Sequence, residues 1–204
     1  MYEKKKDGHV LLIVPASLLG NWSKEIDRFA PKMPYYILHG KNNIVHEDTF
    51  ITITTYGMAL RNVFLQERVW DCLILDEAQA IKNPATKQTR AIKKIPSHMR
   101  IAMTGTPIEN DLSNLWSLFD FLNKGLLGSA SEFKEYAKKV QAYPEYMTKL
   151  KMMVSPFILR RLKTDKTIIS DLPDKMEITE HVDLSKRQVV LYRKEVDKAE
   201  QKIL

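Results

Sequence analysis

The sequence predicts an α/β protein: a parallel sheet flanked by helices, with a helical appendage on its C-terminal side. Short aliphatic or β-branched runs alternate with helical periodicity through the first half of the chain, the pattern of a parallel α/β sheet. One of them, Cys72 to Leu75, is apolar throughout, as a strand buried on both faces must be. After Pro107 the strand pattern stops and a broad helical apolar face takes over.

Taken in order, the strand candidates are Val10–Val14, Tyr35–Leu38, Phe50–Thr54, Cys72–Leu75 and Arg100–Met103. Between the first two, Leu18, Leu19, Trp22, Ile26 and Phe29 recur at helical spacing behind Ser17, a predicted N-cap, and Pro31 and Pro34 close that helix. Leu112, Leu115, Trp116, Leu118, Phe119 and Leu122 form the next helix, ending near Gly125. Ser131–Val140 and Pro144–Val154 follow as helices, Leu172-Pro173-Asp174-Lys175 reads as a linker, Met176–Val182 as a strand, and the chain from Ser185 as helix again.

Composition narrows the function. With 204 residues, 44% of them hydrophobic, the chain can bury a real core. Its 32 Lys+Arg against 25 Asp+Glu give a formal +7. From Glu132 to Lys166 nine basic residues face four acidic ones, a local field suited to a polyanion such as a nucleic-acid backbone, or else an ordinary solvated helical face. The single cysteine, Cys72, rules out a disulfide framework and points to a reducing compartment. The five histidines are scattered without helical pairing or cysteine partners, so no zinc site is indicated. Lys4-Lys5-Lys6 before Val10–Val14 imitates a signal peptide, but the apolar run is short and Pro15 ends it. Nothing is long enough to cross a membrane.

The chemistry concentrates in Leu73-Ile74-Leu75-Asp76-Glu77-Ala78-Gln79 and Met103-Thr104-Gly105-Thr106-Pro107. The carboxyl end of a parallel strand is where such sheets bind ligands, and two carboxylates there cost desolvation unless a cation or strong donors accompany them. The pair reads as the acidic half of a nucleoside-triphosphatase site. Asp76 is placed to hold magnesium, which keeps most of its waters and needs only one or two protein carboxylates beside the phosphates. Glu77 is then free to polarise an attacking water; the competing reading is a pair of anions at a helix N-terminus. Gly105, between the hydroxyls of Thr104 and Thr106, permits close backbone approach and offers a relay between ligands. Pro15-Ala16-Ser17-Leu18-Leu19-Gly20-Asn21-Trp22 and Thr52-Ile53-Thr54-Thr55-Tyr56-Gly57 end two other strands with hydroxyls suited to a phosphate backbone, though each alone is a capped helix or a turn. No G-x-x-x-x-G-K-[ST] phosphate loop occurs in the 204 residues.

These residues, in this order, resemble the first RecA-like lobe of Swi/Snf-type DNA-translocating ATPases, members of helicase superfamily two, over nearly the whole chain. Val14 to Trp22 is similar to the family's motif Ia, Ile53-Thr54-Thr55-Tyr56 to motif Ib, Leu75 to Asn83 to motif II in a DEAQ form, and Met103 to Asn110 to motif III. His39-Gly40 matches a short signature, and Leu115 to Leu122, Gly125 to Gly128 and Pro156 to Lys163 resemble blocks that general helicases lack. The resemblance implies a RecA-like sheet of the P-loop NTPase type, incomplete, with ATP and magnesium as cofactors. Asp76 would coordinate magnesium, Glu77 activate water, and Gln79 sense the nucleotide or the facing lobe. Thr104, Gly105 and Thr106 would couple nucleotide to DNA, and Ser17 and Thr54 touch the DNA backbone. Arg160 and Arg161 would anchor the helical insertion or its junction with the second lobe, and Trp22, Trp70 and Trp116 would be core anchors. The implied organisation is a partial ATP-binding lobe over 1–111, a helical insertion and return over 112–169, and a linker with the start of a second RecA-like lobe over 170–204.

The partners so implied are double-stranded DNA, a DNA-bound protein and the second lobe of the same polypeptide, in the nucleus of a eukaryote or the nucleoid-associated cytoplasm of a bacterium, not a secreted setting. The missing phosphate-loop lysine and the missing second-lobe arginines make the expected chain a fragment, truncated at both ends and inactive alone. The competing expectations are a non-catalytic DNA-binding or scaffold module, and a different superfamily-two motor.

Overall fold

The computed structural model describes residues 8–40, 46, 49–105, 112–161, 179–180 and 183–200. At its centre is β1 (Val10–Val14), buried at every position. It pairs in parallel with β3 (Ile51–Thr55) on one side and β4 (Trp70–Leu75) on the other; β2 (Tyr35–Leu38) and β5 (Ser97–Ala102) flank them, giving the order β2-β3-β1-β4-β5. The register sets Val14 beside Thr55, Ile13 beside Leu75 and Leu75 beside Ala102. The strands therefore end together, and the segments that follow β1, β3, β4 and β5 emerge along one edge.

Alternate residues of the central strands enter two cores, as the period of two requires. On one face Leu11, Ile13, Leu73 and Leu75 pack with Trp70, Ile81, Ile92 and Phe121. On the other, Leu12, Val14 and Ile53 pack with Leu19 and Ile26 of α1 (Leu19–Phe29). The remaining helices of the sheet region are α2 (Tyr56–Arg61), α3 (Val63–Glu67), α4 (Lys87–Lys94) and α5 (Leu112–Leu122). They are followed by α6 (Ala130–Ala142), opened by a capping box between Ser129 and Glu132, and by α7 (Pro144–Val154). The chain divides into two compact units, Met1–Met153 and Val154–Leu204. In the second, the described elements are a 3₁₀ turn at Ser155–Phe157 and α8 (Lys186–Glu200).

Several sequence expectations shift. The third strand runs Ile51–Thr55 rather than Phe50–Thr54, the fourth begins at Trp70, and the fifth is Ser97–Ala102 rather than Arg100–Met103. Met103 lies just past β5, although its N–H still bonds Leu75 O at 2.8 Å. Ser17 is not an N-cap. It sits within a 3₁₀ turn, Ala16–Leu18, and α1 begins at Leu19 without a side-chain cap. Phe29, placed on the apolar stripe of that helix, is 70% exposed with the Arg28 guanidinium over its ring. The linker at Leu172–Lys175 lies outside the described residues, as does the strand expected over Met176–Val182 apart from 179–180, which are not in a strand. Cys72 is buried, as expected, and burial, aided by the Asp71 charge, pushes its thiol up to about 11.

Candidate active site

β4 delivers Asp76 to the common edge, where its N–H donates to Ile13 O at 2.9 Å and so extends the ladder with β1 by one residue. Both carboxylate oxygens of Asp76 have a donor. Oδ1 accepts from the N–H of Glu77 at 3.0 Å, and Oδ2 from Trp22 Nε1 at 2.7 Å. The backbone then turns at Glu77, whose φ of 52° is the one positive value at a non-glycine residue among the described residues. A side chain held there costs about 1–3 kcal/mol, and such positions gather at functional sites. Two bonds hold the turn: Tyr56 OH donates to Asp76 O at 2.7 Å, and Ala78 N–H donates to Met103 O at 2.9 Å.

From the turn a chain of side chains runs across to the segment after β5. Gln79 Nε2 donates to Glu77 Oε2 at 2.6 Å, and Thr104 Oγ1 donates to Gln79 Oε1 at 2.8 Å. Asp76, Glu77, Gln79 and Thr104 are all half-buried, so their polar groups are ordered yet reachable. The structure thus brings four of the sequence-predicted site residues into one bonded group. Gly105 follows, exposed, and a Cβ placed on it would meet nothing within 4 Å; packing inside the described chain does not require glycine there. Thr106 lies outside the described residues.

The two residues assigned to a DNA backbone are placed differently. Ser17 is exposed on its 3₁₀ turn at the end of β1. Thr54 is fully buried, and its hydroxyl donates to Leu38 O at 2.9 Å. Its neighbour Thr55 caps α2, accepting from Met58 N–H. Arg160 and Arg161 are exposed in the second unit. Of the three tryptophans, Trp70 is a core anchor, fully buried with its N–H on Leu65 O. Trp116 spans α5 and the following loop, bonding Gly128 O at 3.0 Å. Trp22 packs against the core of Leu12, Val14 and Ile53 and also reaches Asp76; it is more than an anchor.

Tyr56 and Trp22 are the site residues that sequence reasoning missed. Tyr56 is inconspicuous because it follows a hydroxyl-rich strand end. Trp22 carried a weak signal: a tryptophan in a polar stretch supplies an apolar body and an N–H together. Burial, with the charges of Asp76 and Glu77 adding to it, pushes the Tyr56 phenol well above its ordinary range, so Tyr56 stays a neutral donor.

Behind the edge, Ser117 of α5 donates to Ile81 O at 2.7 Å and accepts from Lys93 Nζ, which also pairs with Asp120 at 2.9 Å. This fastens α5 and α4 to the 3₁₀ turn Ala78–Ile81 that follows Glu77.

The donor set bears on magnesium and ATP. Each Asp76 oxygen accepts one bond within the chain and keeps lone-pair capacity for a cation or its water shell. Among the described residues no group of three or more His, Cys, Asp or Glu could hold a metal unaided. That suits magnesium arriving with a triphosphate, which needs one or two protein carboxylates. The phosphate cradle of the nucleotide has no counterpart in the 204 residues.

A five-stranded parallel sheet carrying an Asp-Glu turn and a threonine-glycine segment side by side on its carboxyl edge is a RecA-like ATPase core fold. It superposes on the Sulfolobus solfataricus SWI2/SNF2 ATPase core in complex with dsDNA with a TM-score of 0.78 and 44% identity, over 98% of this chain and 44% of that one. The chain belongs to the SNF2-related domain family, which matches residues 1–204. YwqA of Bacillus subtilis, whose name describes an ATP-dependent helicase/translocase, is 38% identical over 200 residues, covering 93% of this chain and 22% of YwqA. The chromatin-remodeling ATPase INO80 of Saccharomyces cerevisiae is 34% identical over 216 residues, covering 91% of this chain and 14% of INO80. The chain therefore spans under a quarter of these curated relatives. Among the described residues no helix is long and apolar enough to cross a membrane.

Proposed function

We propose that this chain is part of the motor of a double-stranded-DNA-dependent ATPase that translocates along DNA and remodels protein–DNA complexes. The observation that carries the reading is the bonded series Asp76, Glu77, Gln79 and Thr104 on one sheet edge. It joins the carboxylates suited to magnesium and water with the segment after β5. Asp76 would hold magnesium, which when bound with ATP neutralises charge on the transferring phosphoryl group. Glu77 accepts a proton from, and orients, the attacking water; its bond from Gln79 restrains the carboxylate. Thr104, with Gly105 and Thr106, conveys nucleotide state to the DNA-facing segments, and Gln79 senses it.

Ser17, exposed at the carboxyl edge, is the stronger of the two DNA-backbone candidates. Thr54 would act through the strand end it stabilises. The proposed organisation keeps the lobe at 1–111, the helical insertion at 112–169 and the linker with the start of a second lobe at 170–204. The second lobe would complete the site, and work on DNA would place the protein in a nucleus or on a nucleoid.

The alternative of a non-catalytic DNA-binding module is favoured by one observation, the lack of a phosphate loop within these residues. ATP turnover by the purified chain separates the two from the simplest misreading of the site. Phosphoryl transfer depends on positioning groups this sequence does not contain, so hydrolysis at background level is expected from the chain alone. Robust turnover by it would overturn the account. The full-length protein should hydrolyse ATP if the motor reading holds, and should only bind DNA, with steep salt dependence, if the module reading holds.

A further inference from the structure

The indole of Trp22 reaches across 54 positions of sequence to donate to Asp76 Oδ2 at 2.7 Å. Packing alone would not require that contact. The ring is half-buried among Leu12, Val14, Leu19, Ile26 and Ile53, where a phenylalanine would supply most of the same apolar surface. What tryptophan adds is one N–H donor, and that donor meets the carboxylate assigned to magnesium. Hydrogen bonds to an ionised acceptor are roughly twice as strong as neutral ones. With Glu77 N–H on Oδ1 and Trp22 Nε1 on Oδ2, the carboxylate is restrained at both oxygens. The main chain of the same residue is held separately, by Tyr56 OH on Asp76 O.

We propose that Trp22 is a positioning residue of the ATPase site, setting the direction in which Asp76 presents its oxygens to magnesium. The proposal rests on the motor reading above. It also gives the first helix a part in the reaction. Trp22 stands in the first turn of α1, immediately after the exposed 3₁₀ turn that carries Ser17, so a contact at that turn is one helical turn from the metal-binding carboxylate. Partners of metal ligands that orient rather than bind typically change metal affinity or activity by about 10- to 100-fold when removed.

The test is Trp22→Phe in the full-length protein, which keeps an aromatic ring and deletes the donor. The expected result is a magnesium requirement for ATP hydrolysis raised about tenfold. A second readout needs no turnover. Mn²⁺ titrated in the presence of a non-hydrolysable ATP analogue, followed by electron paramagnetic resonance, should bind about tenfold more weakly to the variant. A purely packing role would lower the unfolding temperature and leave both metal readouts unchanged, and that result would overturn the proposal.

Should the variant fail to fold, hydrogen exchange of the indole N–H groups in the unaltered full-length protein tests the contact that the proposal requires. The Trp22 N–H is expected to be protected; exchange as fast as that of a free indole would overturn the proposal. Failure of the underlying reading looks different. In that case the wild-type protein itself would hydrolyse no ATP, or would do so without any need for magnesium.

Discussion

Thr104 Oγ1 donates to Gln79 Oε1 at 2.8 Å, joining the segment after β5 to the residue whose amide nitrogen holds Glu77 Oε2. A glutamine suits this place because its side chain donates and accepts at once. A change at Thr104 therefore reaches the Glu77 carboxylate through two hydrogen bonds.

Thr104→Val keeps the shape of the threonine and removes the donor. In the full-length protein we expect basal ATP hydrolysis within a few-fold of wild type and a loss of roughly tenfold, ~1.4 kcal/mol, in the rate stimulated by duplex DNA. Steady-state ATPase measured with and without DNA checks this. Equal losses in both conditions would assign Thr104 to hydrolysis itself rather than to coupling.

Tyr56→Phe should change how stability depends on pH. The phenol ionises near 10.0 when unfolded and higher when folded, because burial and the charges of Asp76 and Glu77 oppose ionisation. Below pH 10 both states keep the proton and the stabilisation is complete. Above it the unfolded chain loses its proton first, and stability falls by up to about 1.4 kcal/mol per pH unit. Urea unfolding from pH 9 to 11 should show a shallower decline in Tyr56→Phe. At neutral pH that variant should be less stable by about 0.5–1.5 kcal/mol, through the lost bond to Asp76 O.

Most of the architecture was legible in the sequence because β1 is buried at every position and the Cys72–Leu75 run of β4 is largely buried, so both are apolar runs. β5 was misplaced for the opposite reason. Its first residues, Ser97, His98, Met99 and Arg100, are half-buried or exposed on an edge strand and carry no apolar run. The short helices α2, α3 and α4 went unread because five to eight residues give too little periodicity. α4 is also polar, with Thr89 and Ile92 as its buried residues.

At the site, the adjacency of Asp76 and Glu77 and the order of the loops were visible as pattern. The contacts of Trp22 and Tyr56 were not, since they join residues 54 and 20 positions apart. Thr54 shows the converse. Its hydroxyl suggested a ligand, but a hydroxyl at a central strand's end finds a neighbouring carbonyl first.

The Lys93–Asp120 pair offers a stability prediction away from the chemistry. Its side chains are 14% and 22% exposed, and burial lowers the Lys93 pKa despite the opposing pull of Asp120. Asp120→Ala leaves that ammonium without its countercharge and should cost about 3 kcal/mol. Joint replacement, Lys93→Met with Asp120→Leu, should cost far less, because a desolvated ion pair of this kind is often no more stabilising than apolar packing. Denaturant midpoints of the three variants make the comparison.

The most direct test is ATP hydrolysis by the full-length protein, with and without duplex DNA, in wild type and in Glu77→Gln. The substitution keeps size and hydrogen bonding and removes the base. We expect duplex DNA to stimulate the wild-type rate, and Glu77→Gln to lose about 10²–10⁴-fold of it while still binding ATP. Absence of any stimulation by duplex DNA, or normal hydrolysis by Glu77→Gln, would contradict the assignment of this sheet edge as the catalytic half of a DNA-driven motor.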